Sequence, residues 1–372
     1  MSMTVDFTKL AVLGVQGLRP YQPGKPIDEL AREFGLDPKS IIKLASNENP
    51  LGPSEKAIQA IQTELSDLTR YPDGNGFDLK SALAAKLGVS IEQITLGNGS
   101  SDILEFIVKC FVSTGDEVVV SQHAFAIYGL VTKMMGGNVV QVPAKNWGHD
   151  LVSMAGAITD RTKIVFVTNP NNPTGTWNTK AQLEAFLESV PSHVIVLLDE
   201  AYFEYVDQAD YPSGIDYLES YPNLVVTRTF SKAYGLASLR VGYGVSSLQL
   251  ADLMNRVRPP FNVDSLALAA AEACLKDEAY VRQSKELNDE GMAQLQAGFE
   301  QLNVNWIPSV GNFICFEVAG KADEINQGLL SRGVIVRPVA NYEMPNHLRV
   351  SIGTRQENER FLLELKALLK GE

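Results

Sequence analysis

The stretch Leu224-Val-Val-Thr-Arg-Thr-Phe-Ser-Lys-Ala-Tyr-Gly-Leu-Ala-Ser-Leu-Arg-Val-Gly-Tyr243 decides the fold of this chain. It begins with an apolar, β-branched run of the kind that forms a buried strand, and Ser231 and Lys232 follow it. Ligands collect at the carboxyl ends of strands in open α/β sheets. A lysine placed there can be desolvated, which lowers the pKa of its amine and favours Schiff-base chemistry. Ser231 and Arg240 are suited to bind an anion beside it.

Working outward from this stretch, strands alternate with helices from about residue 79 onward. The predicted strands cover residues 93–96, 117–121, 138–142, 163–168, 193–198 and 224–229. Strands as continuously apolar as residues 194–198 are typical of a sheet that helices cover on both faces. The sequence therefore predicts an α/β fold with a mainly parallel, doubly wound sheet.

The alternation breaks near Arg258-Pro259-Pro260-Phe261, which indicates a domain junction. Helices at 266–275, 278–302, 322–331 and 358–369 and short strands at 313–318, 334–337 and 348–352 follow. We predict a large domain over residues 53–260 and a smaller α+β domain formed by residues 1–52 plus 261–372. Glycines and prolines punctuate residues 1–30 so often that we expect this N-terminal arm to be irregular.

Composition narrows the class of protein. The formal net charge of −12 and the lack of a dense basic cluster argue against nucleic-acid binding. No apolar run reaches the roughly 18 residues of a membrane span, and the N-terminus lacks signal-peptide features, so we expect neither a membrane partner nor export. The four histidines are scattered without ligand spacing, which predicts no metal site. Cys110, Cys274 and Cys315 form no CxxC pair and indicate core thiols of a cytoplasmic enzyme.

Three further loops carry side chains that could bind a ligand or take part in catalysis. The turn Gly97-Asn-Gly-Ser-Ser-Asp102 precedes a helix, and its backbone N–H groups and hydroxyls suit an anion. Asn169-Pro-Asn-Asn-Pro-Thr-Gly175 follows a buried strand and holds the Asn172 amide stiffly. Asp199-Glu-Ala-Tyr202 puts a carboxylate at the end of a very apolar strand, where it requires a cation or strong donor. Alone, each is also compatible with an ordinary structural turn.

Together these loops supply what pyridoxal phosphate requires, namely a Schiff-base lysine, an acid for the pyridine nitrogen and a phosphate cup. Over nearly the whole chain, the order and sequence of the motifs resemble the fold-type I aminotransferases. Within them, the following segments are similar to the histidinol-phosphate aminotransferase family: Asn47-Glu-Asn-Pro50, Arg70-Tyr-Pro-Asp73, Pro170-Asn-Asn-Pro-Thr-Gly175, Asp199-Glu-Ala-Tyr202, Thr229 to Tyr243 and Leu348-Arg-Val-Ser-Ile-Gly353.

The resemblance implies an aspartate-aminotransferase-like large domain and a role for each matching residue. Lys232 would bond to the cofactor and shuttle a proton, and Asp199 would keep the pyridine nitrogen protonated. Asn172 and Tyr202 would hydrogen-bond the ring 3-oxygen, and Phe125 would stack on the ring in place of the family's tyrosine. The phosphate would be held by Gly99, Ser100, Ser101, Ser231 and Arg240. Tyr71 would reach the cofactor phosphate of a neighbouring subunit, which implies a homodimer.

The resemblance also implies a substrate. Arg349 matches the family's arginine for the substrate anion, Arg337 and Tyr21 match positions that bind the phosphate of histidinol phosphate, and Asn47 is a further candidate for substrate binding. Two arginines make a good clamp for a phosphate dianion and could equally hold the carboxylates of glutamate. The implied reaction transfers the amino group of L-histidinol phosphate to 2-oxoglutarate, giving imidazole acetol phosphate and glutamate in histidine biosynthesis.

Alternatives stay open at this point. An aromatic amino-acid aminotransferase shares the cofactor motifs but has less use for Arg337 and Tyr21, and a phosphothreonine decarboxylase would use the same phosphate clamp. A nucleotide-dependent dehydrogenase would need the complete G-x-G-x-x-G fingerprint and, about 20 positions later, an acidic residue that follows a strand, and both are missing after Gly97.

Overall fold

A computed structural model describes residues 5–21 and 23–371 of the chain. Its strands, in chain order, are β1 (Ile42–Lys43), β2 (Ile94–Gly97), β3 (Glu117–Ser121), β4 (Asn138–Val142), β5 (Thr162–Thr168), β6 (Ile195–Asp199), β7 (Leu224–Thr229), β8 (Gly242–Ser246), β9 (Trp306–Ile307), β10 (Phe313–Glu317), β11 (Val334–Ile335), β12 (Arg337–Pro338) and β13 (His347–Ser351).

The helices follow the same order. They are α1 (Phe7–Leu10), α2 (Leu13–Gln16), α3 (Ile27–Phe34), α4 (Glu55–Glu64), α5 (Phe77–Leu87), α6 (Ser100–Phe111), α7 (Ala126–Met134), α8 (Leu151–Gly156), α9 (Lys180–Ser189), α10 (Leu248–Val257), α11 (Ser265–Leu275), α12 (Glu278–Leu302), α13 (Ala322–Ser331) and α14 (Arg355–Lys370).

A seven-stranded sheet in the order β2-β8-β7-β6-β5-β3-β4 forms the centre of the molecule. Strands β3 to β7 run parallel, and β8 is antiparallel to both of its neighbours. Alternate residues of β5 face opposite sides, so Val165 packs among α4, α5, α9 and α11, while Phe166 packs among α6, α7 and α10. Because both faces are covered, the strands can be apolar at every position.

The second part of the molecule is built on the antiparallel sheet β12-β13-β10-β9. One face of this sheet, represented by Ile314 and Leu348, packs against α12, α13 and α14. The opposite face carries Cys315 and Arg349 as direct cross-strand partners. The N-terminal strand β1 pairs in parallel with β11 and so joins this part of the chain. Helix α11, which lies after the predicted junction, packs on α4 and α5 within the core of the large sheet. The domain bounds 53–260 and 1–52 plus 261–372 stay a prediction.

Local chemistry explains where the elements differ from the sequence predictions. The last helix begins at Arg355, earlier than predicted, because Thr354 and Glu357 form a reciprocal capping box. The predicted strand 334–337 is interrupted at Val336, so β11 pairs with β1 whereas β12 pairs with β13. The prediction of an irregular arm over residues 1–30 is wrong in part. Residues 7–10 and 13–16 form single helical turns and α3 begins at Ile27, while residues 1–4 lie outside the described residues.

Among residues 5–21 and 23–371, no helix combines the length and the apolar composition that crossing a membrane requires. Within the same part of the chain, no three His, Cys, Asp or Glu side chains come together in a group that could hold a metal ion.

Candidate active site

A cavity of about 280 Å³ lies at the carboxyl ends of β5, β6 and β7, between the large sheet and the β10–β13 sheet. It brings together nearly all of the site residues that the sequence predicted. Those that line it are Tyr21, Asn47, Ser100, Ser101, Phe125, Asn172, Asp199, Tyr202, Ser231, Lys232, Arg240, Arg337 and Arg349. Gly99 and Tyr71 are the two predicted residues that are not part of its lining.

Asp199 is the last residue of β6, and its carboxylate lies at the floor of the cavity. Tyr128 donates a hydrogen bond to its Oδ2 at 2.8 Å, and Thr227 donates to its Oδ1 at 3.1 Å. Burial raises the pKa of Asp199, and the hydrogen bonds from Tyr128 and Thr227 act in the opposite direction. A cationic group in the cavity would therefore stabilise this carboxylate.

Lys232 enters the same cavity from the loop after β7. Its Nζ donates a hydrogen bond to the carbonyl of Ser46 at 3.0 Å. Desolvation, followed by the charge of Arg349, lowers the pKa of Lys232 to about 7, even though Glu48 acts in the opposite direction. The amine is thus substantially neutral near pH 7, which is the form that attacks a carbonyl group.

The amino-terminal end of α6 forms a corner of the cavity whose groups suit an anion, called the anion corner below. Gly99 precedes the helix with φ +82, and a Cβ at this position would lie 2.5 Å from Arg240 Nη2. Arg240 Nη1 donates to the Ser231 hydroxyl at 3.3 Å, so the guanidinium and the hydroxyl are held side by side. Glycine at 99 therefore lets the guanidinium approach the helix end, where Ser100 and Ser101 face the cavity.

Asn172 and Tyr202 are both anchored by neighbouring polar groups. The Asn172 Oδ1 accepts a hydrogen bond from Arg349 Nη1 at 2.5 Å, which leaves the amide NH2 as the donor for a ligand. The Tyr202 hydroxyl accepts from Asn47 Nδ2 at 2.9 Å. Burial raises the pKa of Tyr202, so the hydroxyl keeps its proton and can donate it. The buried Phe313 ring packs edge-on against Tyr202 and fixes its orientation.

Two arginines form the opposite wall. Arg337 on β12 and Arg349 on β13 are direct cross-strand partners, and both are buried. Like charges directly opposite each other on two strands are destabilising. Arg349 Nε has no hydrogen-bond partner, and the Arg337 guanidinium carbon lies 5.7 Å from the ring centre of Tyr21. An anion between the two guanidinium groups would relieve this repulsion.

Tyr71 lies outside the cavity. Its side chain is 82% exposed, and its ring stacks on that of Phe261 with centroids 4.7 Å apart. Leu65 and Leu68, which precede it in the chain, are also exposed. Within one chain, Tyr71 does not join the other predicted site residues.

Tyr128, Thr168, Thr227 and Ser46 contribute to the site but were not predicted from the sequence. Thr168 and Thr227 are direct partners of Asp199 on the neighbouring strands. Only strand register identifies such neighbours, and their sequence positions carry no motif. Tyr128 follows Phe125 by three residues and so lies near it on the first turns of α7, a spacing that could have identified it.

Comparison with known proteins agrees with this geometry. Residues 39–365 match the family model described as aminotransferase class I and II. A Pseudomonas fluorescens protein named histidinol-phosphate aminotransferase 2 is 60% identical over 367 residues, covering 99% of each chain. The structure of histidinol-phosphate aminotransferase from Sinorhizobium meliloti in complex with pyridoxal-5'-phosphate superposes with a TM-score of 0.90 at 28% identity, covering 100% of both chains.

The chain therefore belongs to the class I and II aminotransferases and is an aminotransferase. A mutant aspartate aminotransferase of Thermus thermophilus matches with a TM-score of 0.83 at 23% identity, over 96% of this chain and 98% of its own, and bears on the fold alone. The predicted α/β fold, with a mainly parallel aspartate-aminotransferase-like sheet and a smaller α+β part, is confirmed.

Proposed function

We propose that this enzyme transfers the amino group of L-histidinol phosphate to 2-oxoglutarate, giving imidazole acetol phosphate and glutamate in histidine biosynthesis. The observation that carries the proposal is one cavity that holds Lys232, Asp199 and the cross-strand pair Arg337 and Arg349. The 60% identity over 367 residues to two proteins named histidinol-phosphate aminotransferase 2 supports the choice of substrate.

Pyridoxal phosphate is the cofactor, and the cavity fits each part of it. Asp199 is a buried carboxylate with raised pKa that would pair with a protonated ring nitrogen. The α6 terminus with Gly99, Ser100, Ser101, Ser231 and Arg240 offers hydroxyls, N–H groups and a guanidinium to a phosphate. The Asn172 amide and the Tyr202 hydroxyl are donors for the ring oxygen, and Phe125 is an apolar ring in the cavity wall for stacking.

When bound, the cofactor supplies an electron sink for the pair left on the substrate Cα after its proton departs. Lys232 would hold the cofactor through its Nζ amine until the amine of the substrate takes its place. The freed Nζ would accept the proton of the substrate Cα and pass it to C4′ of the cofactor. The Asp199 carboxylate would pair with the ring nitrogen and keep that nitrogen protonated.

The arginine pair would bind the anionic end of both substrates. Histidinol phosphate carries a phosphate, and 2-oxoglutarate and glutamate carry carboxylates, so each can fill the space between Arg337 and Arg349. Tyr21 lies against Arg337 and adds a hydroxyl donor on the same side. Asn47 positions Tyr202 through its amide and borders the same space.

The direct test is a half-reaction with three amino donors. Histidinol phosphate, phenylalanine and phosphothreonine are added separately to the cofactor-loaded enzyme, and loss of its yellow absorbance is followed. We expect histidinol phosphate to react with the highest kcat/KM. Fastest reaction of phenylalanine would identify an aromatic aminotransferase instead, and release of carbon dioxide from phosphothreonine would identify a decarboxylase. The Lys232→Ala variant should lose both the reaction and the cofactor trapped covalently by borohydride.

A second experiment separates the phosphate clamp from general anion binding. Arg337→Ala should weaken the binding of histidinol phosphate by roughly 2–3 kcal/mol, which is the contribution of a charge-assisted hydrogen-bond pair. The binding of phenylalanine should be weakened far less. The measurement is kcat/KM for both donors, with Arg337→Lys as the variant that keeps the charge but not the bidentate geometry. Equal losses for both donors would contradict a phosphate-binding role for Arg337.

We further propose that the enzyme is a cytoplasmic homodimer in which Tyr71 completes the neighbouring subunit's site. The exposed, stacked rings of Tyr71 and Phe261 and the nearby leucines are a surface of the composition found at the centre of subunit interfaces. The three free cysteines are consistent with a reducing compartment.

A further inference from the structure

Tyr128 connects α7 to the carboxylate at the floor of the cavity. Its ring is 1% exposed and stacks on Phe166, with centroids 4.5 Å apart and planes inclined by 10°. Phe125 contacts it edge-on from the preceding turn. Apolar contacts therefore fix the ring independently of its hydroxyl.

The hydroxyl lies between two oxygens, 2.8 Å from Asp199 Oδ2 and 2.7 Å from Thr168 Oγ1. A tyrosine has one hydroxyl proton, and an ionised carboxylate can only accept. Tyr128 must therefore donate to Asp199, and the Thr168 hydroxyl must donate to Tyr128. Burial and the neighbouring Asp199 charge raise the pKa of Tyr128, which keeps this proton in place.

The donors reach Asp199 from the two sides of its strand. Thr168 is its direct partner on β5 and acts through Tyr128, while Thr227 is its direct partner on β7 and binds Oδ1. The carboxylate is held at both oxygens, and each oxygen keeps acceptor capacity for a ligand.

We propose that Tyr128 is a positioning residue that keeps the proton on the cofactor's ring nitrogen by donating its own hydroxyl proton to Asp199. The proposal rests on the proposed function, in which Asp199 faces that nitrogen. A carboxylate that accepts hydrogen bonds from hydroxyls is a weaker base, because those bonds stabilise its charged form. The proton shared with the ring nitrogen therefore stays on the ring, and the ring withdraws electrons more strongly.

The test is Tyr128→Phe, which removes the hydroxyl and keeps the stacked ring. Enzyme is loaded with pyridoxal phosphate labelled with ¹⁵N in the ring, and the nitrogen chemical shift is measured by NMR. We expect the signal to move from the protonated position of the unmodified enzyme toward the unprotonated one. The kcat should fall by about tenfold, the factor for a charged-group hydrogen bond of about 1.4 kcal/mol, with KM changed by less than about twofold.

Three further variants serve as controls for this test. Thr168→Val removes only the donor to Tyr128 and should move the nitrogen signal in the same direction by a smaller amount, whereas Thr168→Ser should restore it. Tyr217→Phe deletes a hydroxyl bonded to Glu184, away from the cavity, and should change neither shift nor kcat. If Tyr128→Phe fails to fold, the Thr168 pair carries the same prediction.

The outcomes are distinct. A ring-nitrogen shift that is unchanged in both Tyr128→Phe and Thr168→Val overturns the role of Tyr128, even if kcat falls. The unmodified enzyme is the reference for the proposed function. If it fails to bind the labelled cofactor covalently, the proposed function fails, and the role of Tyr128 fails with it.

Discussion

At the scale of single residues, Lys232 and the buried Asp199 are an amine and a carboxylate that line the same cavity. Desolvation shifts both pKa values toward the neutral form, downward for the amine and upward for the carboxylate. Arg349 adds a positive charge that further disfavours protonation of Lys232. A neutral amine next to an acid that requires a cation is the state in which a cofactor with an aldehyde and a basic ring nitrogen binds best.

The lowered pKa of Lys232 predicts how the cofactor-free enzyme reacts with a small amine-specific reagent. Only the neutral amine reacts, so labelling of Lys232 should rise as the pH increases through about 7 and level off by about pH 8 to 9. Mass spectrometry of the peptide that contains Lys232 measures the rate. Lys276, whose pKa is raised by its hydrogen bond to Glu272, is the internal control and should keep gaining reactivity at higher pH. Parallel profiles for the two lysines would contradict the desolvated state of Lys232.

At the scale of elements, the site is made where a helix begins and where strands end. Thr168, Asp199 and Thr227 lie side by side on β5, β6 and β7 because these strands are parallel and the three residues are in register. Helix α6 points its amino terminus at the same edge, and the antiparallel β8 brings Gly242 against the backbone of Ser100. The anion corner therefore depends on how α6, β8 and the Arg240 side chain meet. Glycine at 242 permits the approach of β8 to Ser100, and glycine at 99 permits the approach of Arg240 to the helix.

A substitution in the anion corner should lower the affinity for the cofactor while the protein still folds. Gly99→Ala introduces a Cβ into the Arg240 guanidinium at a residue with positive φ, so we expect the cofactor affinity to fall by about tenfold or more, as strain of about 1–3 kcal/mol implies. Absorbance titration with pyridoxal phosphate measures it. Gly88→Ala is the matched control, since its φ is +70 and no atom lies within 4 Å of the added Cβ. It should lower Tm but leave cofactor affinity unchanged, and equal affinities for both variants would refute the corner's role.

At the scale of the whole molecule, the cavity exists because two sheets face each other. Arg349 on β13 bonds to Asn172 and to the carbonyl of Ala45, and the Cys315 thiol lies 2.9 Å from the Pro173 carbonyl. The buried His123 ring contacts the Tyr342 carbonyl across the same boundary. The two sheets thus contribute Arg337, Arg349 and Lys232 to one cavity, and neither sheet alone holds the complete set.

The proposed dimer predicts complementation between two inactive variants. Tyr71→Ala lacks the donated residue and Lys232→Ala lacks the amine, so each variant alone should be nearly inactive. If Tyr71 acts across the interface, mixed dimers contain one intact site, and a statistical mixture should recover about a quarter of full activity. Co-expression with two affinity tags, followed by activity measurement, tests this. No recovery in isolated mixed dimers would place Tyr71 in its own subunit's site, whereas full activity of Tyr71→Ala alone would place it outside both sites.

The sequence by itself predicted the sheet and most of the cavity, for local reasons. Apolar runs such as residues 194–198 identify buried strands, and a polar residue after such a run must lie at the carboxyl edge of the sheet. Asp199, Asn172 and Lys232 are therefore predicted to lie at one edge from the sequence alone. Glycines in the turn before α6 marked the anion corner in the same way.

The tertiary structure alone decided which side chains touch. The bond from Tyr128 to Asp199 and the cross-strand placement of Arg337 opposite Arg349 depend on packing and on strand register. Register is set by contacts between segments far apart in the chain, and a one-residue slip would turn each side chain to the other face. The exposed ring of Tyr71 lies outside the cavity of its own chain, and only the proposed second chain would bring it to a site. Local pattern fixes the elements of this protein, whereas the pairing of its charges is fixed by how those elements pack.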